Sequence, residues 1–336
     1  MEIAGEAEKA NSEAVPGEGS PGPGDPLETF AAAAILNNLK ALKASLLEAA
    51  QGTRPDATHD ARIATRRLRV CLALFHEQLE ASSSRRADRG LRRLGRALGD
   101  VRDLDVVLKD ARGHALRLKD PRAAGFASFI GELETKREAA LSRLVEKSSP
   151  RKIERLQKDL RYLAKTASRE DDHRLYRPAG LAAGALIIPA FAELVEFTPL
   201  VLSGKAGEST FHAARRKAKR LRYVLEVFET LYGPETAFFL GELKGLQDRL
   251  GELNDAFSAS RAAAAYVAAL TEGNQADASA SGLHDVPAVA AYLELQQRRS
   301  ARLAGRLPSA WTKIAAPAFR KRLFAMMGSC EVRFAR

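Results

Sequence analysis

The chain has 336 residues, 46% of them hydrophobic and 28% charged, with a formal charge of +11; that is apolar material for one large core or two ordinary ones, and too much for a disordered chain. Two cysteines rule out a disulfide scaffold and fit a reducing cytoplasm, while the longest apolar run, LAAGALIIPAFAEL (181–194), is shorter than the roughly 20 residues a membrane span needs. The first 30 residues hold seven acids against one lysine, leaving +17 for the remainder, an excess that favours nucleic acid, phosphate polymers or a membrane surface as partner.

Residues 1–25 are acidic and rich in Pro, Gly and Ser, and are expected to be disordered. They have neither the basic nor the apolar segment of a signal peptide. From Leu27 onward the pattern keeps a helical period and nothing alternates as a strand does, so the predicted fold class is all-α. Helices are expected over 26–50, from His59, and over 85–112, 121–147 and 150–168. Thr58 or Asp56 suits the N-cap of the second, and the serines Ser82–Ser84 that of the third. The segment EDDHRLYRPAG (170–180) reads as a boundary between halves. Further helices are expected over 181–197, 209–231, 234–272, 288–306 and 309–327, with a flexible loop at 273–287 and the apolar run at 181–194 buried. The expected organisation is a tail (1–25), a first helical bundle (26–170), a second (171–327) and a C-terminal tail (328–336), each bundle of about four long helices.

One stretch occurs twice. HDARIATRRLRVCLALF (His59–Phe75) is answered by HAARRKAKRLRYVLEVF (His212–Phe228), 153 residues later, with His59/His212, Arg62/Arg215, Arg67/Arg220, Arg69/Arg222 and Phe75/Phe228 in register and Arg66 opposite Lys219. A second block, Leu91–Asp103, is answered by Leu243–Asp255 at a spacing of 152, which pairs Arg92 with Lys244. Two ordered blocks at nearly one spacing indicate an internal duplication, with halves packed about a pseudo-two-fold axis that brings their cationic faces together. On a helical wheel His59, Arg62, Arg66 and Arg69 fall within about 80°, opposite Ala61, Ala64, Leu68, Cys71, Leu72 and Phe75. Cations at i, i+3, i+4 and i+7 repel one another, so helix stability does not select this stripe. A polyanion site does.

These motifs, HxxRxxxRRLR, LGDVRDLD, HxxRRKAKRLRYVLEVF and LKGLQDRLGELND in that order, resemble the CHAD domain, the conserved histidine α-helical domain, over residues 27–325. The resemblance implies two pseudo-symmetric four-helix bundles flanking a basic groove or pore that binds inorganic polyphosphate. Its site residues would be His59, Arg62, Arg66, Arg67 and Arg69, then His212, Arg215, Lys219, Arg220 and Arg222, to which the repeat adds Arg92 and Lys244. Some members carry a CYTH triphosphatase domain marked by ExExK on a strand; EIAGEAEKA lacks that spacing, so a stand-alone, non-catalytic CHAD protein is expected, with no cofactor. The resemblance also implies association with polyphosphate granules.

Arginine suits such a polymer because its planar guanidinium bonds phosphate oxygens bidentately and keeps its proton. The two histidines either donate to phosphate or stand as neutral partners holding the helix ends. Non-specific nucleic-acid binding is the rival reading, weakened because only Tyr223 interrupts the cationic faces and bases need aromatic platforms. Metal binding through the histidines is disfavoured by their cationic neighbours. Metal-dependent chemistry at Asp103 and Asp255 competes with a simpler role, in which those acids bond the Arg-rich helix and hold its stripe in place. His76, His114, His173 and His284 lack repeat partners and are expected at the surface.

Overall fold

A computed structural model describes residues 21–51, 56–118, 122–167, 178–273 and 286–334. The expected disorder of residues 1–20, most of the expected interbundle boundary, the flexible loop, and the positions of His173 and His284 lie outside these. The described residues form helices α1 (Leu27–Gln51), α2 (Ala57–Leu74), α3 (Ala81–Ala115), α4 (Arg122–Lys147), α5 (Pro150–Ala167), α6 (Ala179–Val195), α7 (Thr198–Leu202), α8 (Glu208–Val227), α9 (Glu229–Tyr232), α10 (Glu235–Gly273), α11 (Val286–Ala315) and α12 (Pro317–Phe334). The all-α class is therefore observed, with one isolated bridge between Pro26 and Pro178. Beside that bridge Ala179 N–H donates to Asp25 C=O at 3.0 Å and Gly180 N–H to Pro23 C=O at 3.1 Å, so the segment before α1 satisfies backbone donors at the start of α6.

In the first half α1, α2, α3 and α5 pack together, and in the second α6, α8, α10 and α12 do. Both sets feed one continuous core. The main contacts between halves join α1 to α6, α2 to α8, α3 to α10 and α4 to α11, helices that hold matching places in the two halves. At the seam the matched residues Phe75 and Phe228 touch each other, ring centroids 6.2 Å apart, with Phe30 5.9 Å from Phe228. The outer reaches of the long helices α3 and α10 then combine with α4 and α11 around a second core built on Phe126, Phe129, Tyr266 and Tyr292. There Asp110 on α3 accepts from Tyr292 Oη (2.7 Å), Gln296 Nε2 (2.6 Å) and Arg299 Nη1 (2.6 Å) on α11.

Several local expectations change. Asp56 is the N-cap of α2, without a side-chain cap bond. For α3 the cap is Glu80, whose carboxylate accepts from Ser82 N–H (2.8 Å) and Ser83 N–H (2.6 Å), so the serines sit in the first turn rather than capping it. α11 runs through Pro308 as far as Ala315 instead of breaking there. Leu307, Trp311 and Ile314 are buried around the proline, and Trp311 Nε1 donates to Thr198 Oγ1 at 3.0 Å; packing thus offsets the lost helical bond. α12 continues to Phe334, through residues read as tail.

α6 is buried on one face only. Ala183, Ile187, Ala190, Phe191 and Leu194 enter the core, whereas Leu181 and Ile188 are 52% and 39% exposed. The stretch Ala179–Leu202 is long and apolar enough by composition to cross a membrane, yet it is interrupted between α6 and α7 and docks by α6 on α8 and α12. His114 is half-buried at the surface: its ring packs 5.0 Å from Tyr292 and 5.2 Å from Phe126, and burial lowers its pKa. His76 is exposed as expected.

Candidate functional site

The apolar stripe of α2, Ala61, Ala64, Leu68, Cys71 and Leu72, and that of α8, Ala214, Ala218, Leu221, Val224 and Leu225, are buried in the shared core. Docking these stripes turns the cationic faces of the two helices towards each other. Arg62 and Arg66 from α2 meet Arg215, Lys219 and Arg222 from α8, and all five are half-buried.

The electrostatics follow from that crowding. Lys219 is pushed down from 10.5 to about 6, first by burial and then by Arg215, Arg66, Arg62 and Arg222. No carboxylate among the described residues pairs with it. Burial also lowers Arg66 and Arg215, although Tyr223 supports Arg66 as a hydrogen-bond partner and Asp255 supports Arg215; guanidinium pKa values start high enough for both to stay charged. Arg215 Nε is buried with no partner.

The two repeated acids both lie beside arginines of the stripes, but only one bonds its arginine. Arg62 Nη1 donates to Asp103 Oδ1 at 2.8 Å. In the other half Asp255 sits by Arg215, and burial raises its pKa against the pull of that arginine. The aliphatic-free surface of Gly99 lies under the Arg62 guanidinium, whose Nη2 would be 3.7 Å from a Cβ built there, ordinary contact for a small side chain.

The histidines differ. His59 Nδ1 is buried without a partner, and burial, Arg102 and Lys219 together lower its pKa, so the ring is neutral near pH 7. His212 is exposed and its Nδ1 lies 3.2 Å from Asn254 Oδ1. At the spacing of 152, Arg102 and Asn254 are counterparts. Each histidine therefore faces the residue before the repeated acid, an arginine in one half and an amide in the other.

Other expected site residues lie elsewhere. Arg67 crosses the seam to Glu226, at 3.0 Å from Nε and 2.8 Å from Nη2, and Arg222 Nε lies 3.2 Å from the same carboxylate. Its counterpart Arg220 instead grips Glu193 on α6 at 2.6 and 2.7 Å, beside Lys217. Arg69 and Arg92 share Asp88 at 3.0 and 2.7 Å, and both are exposed, as is Lys244. The cations that act on Lys219 are Arg215, Arg66, Arg62 and Arg222 rather than these three. Tyr223 is only 3% exposed, with Arg67 and Arg222 over its ring at 5.6 and 5.4 Å, so it presents no face for a base to stack on. Arg102 and, through its charge on Asp255, Arg299 belong to the neighbourhood of the site. Repeat comparison hides Arg102 because its counterpart is neutral.

Among known proteins, the model of the CHAD domain family matches residues 33–264. The fold is similar to the crystal structure of the CHAD domain from the plant Ricinus communis, at 24% identity and a TM-score of 0.65, over 87% of this chain and 93% of that one. It is also similar to PptA from Streptomyces chartreusis, at 19% identity and a TM-score of 0.60, over 86% of this chain and all of that one. No curated protein matches the sequence. With the family model covering well over half of the chain, and the repeated histidine helices facing each other as that resemblance implies, this protein belongs to the CHAD domain family.

Proposed function

We propose that the protein binds inorganic polyphosphate, without catalysis, in the cationic cluster between α2 and α8, its two halves being products of a duplication. The observation that carries this reading is Lys219, half-buried among four arginines with no carboxylate partner among the described residues and driven to about 6. A fold gains nothing by concentrating like charges where water is scarce, since their mutual repulsion and desolvation both oppose it. A polyanion supplies the missing countercharge. Arg66 and Lys219 anchor the polymer from opposite sides, Arg62 and Arg215 are aimed by Asp103 and Asp255, and the exposed Arg69, Arg92 and Lys244 extend the track outward. Counterion release from the polymer adds to the affinity. His59 stands as the neutral member. The seclusion of Tyr223 supports polyphosphate over single-stranded nucleic acid, which favours aromatic platforms. The protein acts in the cytoplasm, at polyphosphate granules.

The test is a competition titration at near-physiological salt. Labelled long-chain polyphosphate is displaced by unlabelled polyphosphate, single-stranded DNA or duplex DNA at matched charge, while released phosphate is measured with and without magnesium. Displacement by polyphosphate alone, with no phosphate release, is expected. Equal displacement by DNA sinks the specificity, and magnesium-dependent phosphate release sinks the non-catalytic reading.

A further inference from the structure

A second concentration of cations lies away from the α2–α8 cluster. A cleft of about 430 Å³ opens between the first turns of α3, the end of α4 and the start of α5, rimmed by Arg86, Arg89, Arg93, Lys147, Lys152 and Arg155 with Asp159 as its lone acid. Some of these charges are occupied. Arg86 Nε lies 3.6 Å from Asp159 and its Nη2 donates to Ser83 Oγ at 2.6 Å. Lys147 and Lys152 share Glu146, at 2.8 and 3.8 Å. Arg89, Arg93 and Arg155 are exposed and have no partner among the described residues. Two of them stand at i and i+4 on α3, a like-charge pair that weakens the helix.

The second half offers a comparison. The spacing of 152 carries the α3 side of this cleft onto α10, where a smaller cleft, about 240 Å³, opens against the last turns of α11 and is lined by Arg249 and Lys313. There Gly241 and Gly245 occupy the places of Arg89 and Arg93, and Leu246 that of Leu94. The second cleft is walled by α11 where the first is walled by α4 and α5, and only the first presents arginine at both of these positions. In the first-half cleft the helices come close at Gly90, where an added Cβ would sit 3.2 Å from Leu156 Cδ1, and the apolar side chains of the floor limit water around any bound anion.

We propose that the cleft between α3, the α4–α5 turn and α5 is a second anion site, one that takes a run of condensed phosphate groups on Arg89, Arg93 and Arg155. Guanidiniums arriving from two helices match the oxygens of successive phosphates, each pair of bonds charge-assisted. The site stands on its own cations and does not rest on the α2–α8 cluster. Its phosphate run comes either from an inorganic oligophosphate or from a nucleoside triphosphate.

Calorimetric titration of the full chain with tripolyphosphate, and in parallel with ATP, decides the matter. The variants are Arg89→Gln/Arg93→Gln/Arg155→Gln for the cleft and Arg66→Gln/Lys219→Met for the cluster, each checked by its melting curve. Wild type is expected to take two equivalents of tripolyphosphate, and each variant one. In the cluster variant, which keeps the cleft alone, log K is expected to fall with log salt at a slope of about two, from three contacts at roughly 0.7 each. If wild type takes a single equivalent that only the cleft variant loses, the second site stands and the central reading fails. If the cleft variant keeps the full wild-type stoichiometry, or if sulfate at equal ionic strength displaces the cleft ligand as well as tripolyphosphate does, the inference is overturned. Equal binding of ATP at the cleft, removed by the same three substitutions, supports the site and assigns it to the triphosphate of a nucleotide.

Discussion

Binding of long-chain polyphosphate should draw a proton onto Lys219. In the free protein that ammonium is pushed to about 6 by burial and by Arg215, Arg66, Arg62 and Arg222, so at pH 7.5 the side chain is largely neutral. Phosphates placed among those arginines reverse the sign of the local field and restore the charged form. Between roughly pH 6.5 and 9 the complex therefore binds about one more proton than the free protein, and the association constant rises as pH falls, by at most about tenfold per unit. Titration calorimetry at pH 7.5 in buffers of different ionisation enthalpy reads that proton directly, and long chains keep the polymer's titrating ends negligible. Lys219→Met should abolish the uptake and weaken binding. Lys219→Arg should keep binding while removing most of the uptake, because a guanidinium holds its proton throughout. His59, also lowered by burial, is the other group able to take a proton, and uptake that persists in Lys219→Met would refute the assignment. The free protein offers a second reading. A lysine lowered from 10.5 to about 6 binds more protons unfolded than folded between those values. Its stability should thus rise with pH across that window, at no more than about 1.4 kcal/mol per unit, and level off below about pH 6.

Two further outcomes concern stability and reactivity. Asp110→Ala removes the acceptor of three short bonds from α11. At 1.5–3 kcal/mol for each bond to a charged group in full burial, and less here because Asp110 and Arg299 are partly exposed, a loss of about 3 kcal/mol and several degrees of Tm is expected by calorimetry. A shift under one degree would show that the second core does not depend on it. Cys71 is 1% exposed, and burial raises its thiol to about 12; peptide mapping after iodoacetamide treatment should find it unmodified in native protein and modified in denaturant. Rapid native labelling would mean that the seam opens.

Much of this architecture was legible because α2 and α8 carry complete instructions in their own letters. An apolar stripe and a cationic stripe on one helix determine which face docks, and the same stripes 153 residues later place two such faces together. Asp103 could be read as a holding group for the same reason, since its repeat partner follows the same LG step. What escaped were features written in only one half or decided by packing. Arg67 and Arg220 share a register but reach Glu226 and Glu193, carboxylates with no counterparts in the repeat. Arg102 is masked by Asn254. The helix through Pro308 survives because Trp311 and its neighbours are buried there, a circumstance that no local breaker rule contains. α6 looked like a core helix because hydropathy counts apolar residues without knowing how many faces a neighbour will cover. The choice between one large core and two ordinary ones was also out of reach, because periodicity tells which side of a helix is inward and not whose interior it joins.

The meeting of Phe75 with Phe228 has a consequence for how this site can vary. Contact between like positions of a repeat is what a symmetric dimer shows at its axis, and in a true dimer any substitution near the axis enters twice. A change that adds one arginine there adds two, with doubled repulsion. A single chain carrying both halves escapes that constraint. Arg102 can hold the place that Asn254 holds in the other half, one histidine can be half-buried while the other stays open to solvent, and Arg89 and Arg93 can stand where the other half has Gly241 and Gly245. Covalent joining thus turns one repeated surface into two that can be tuned apart.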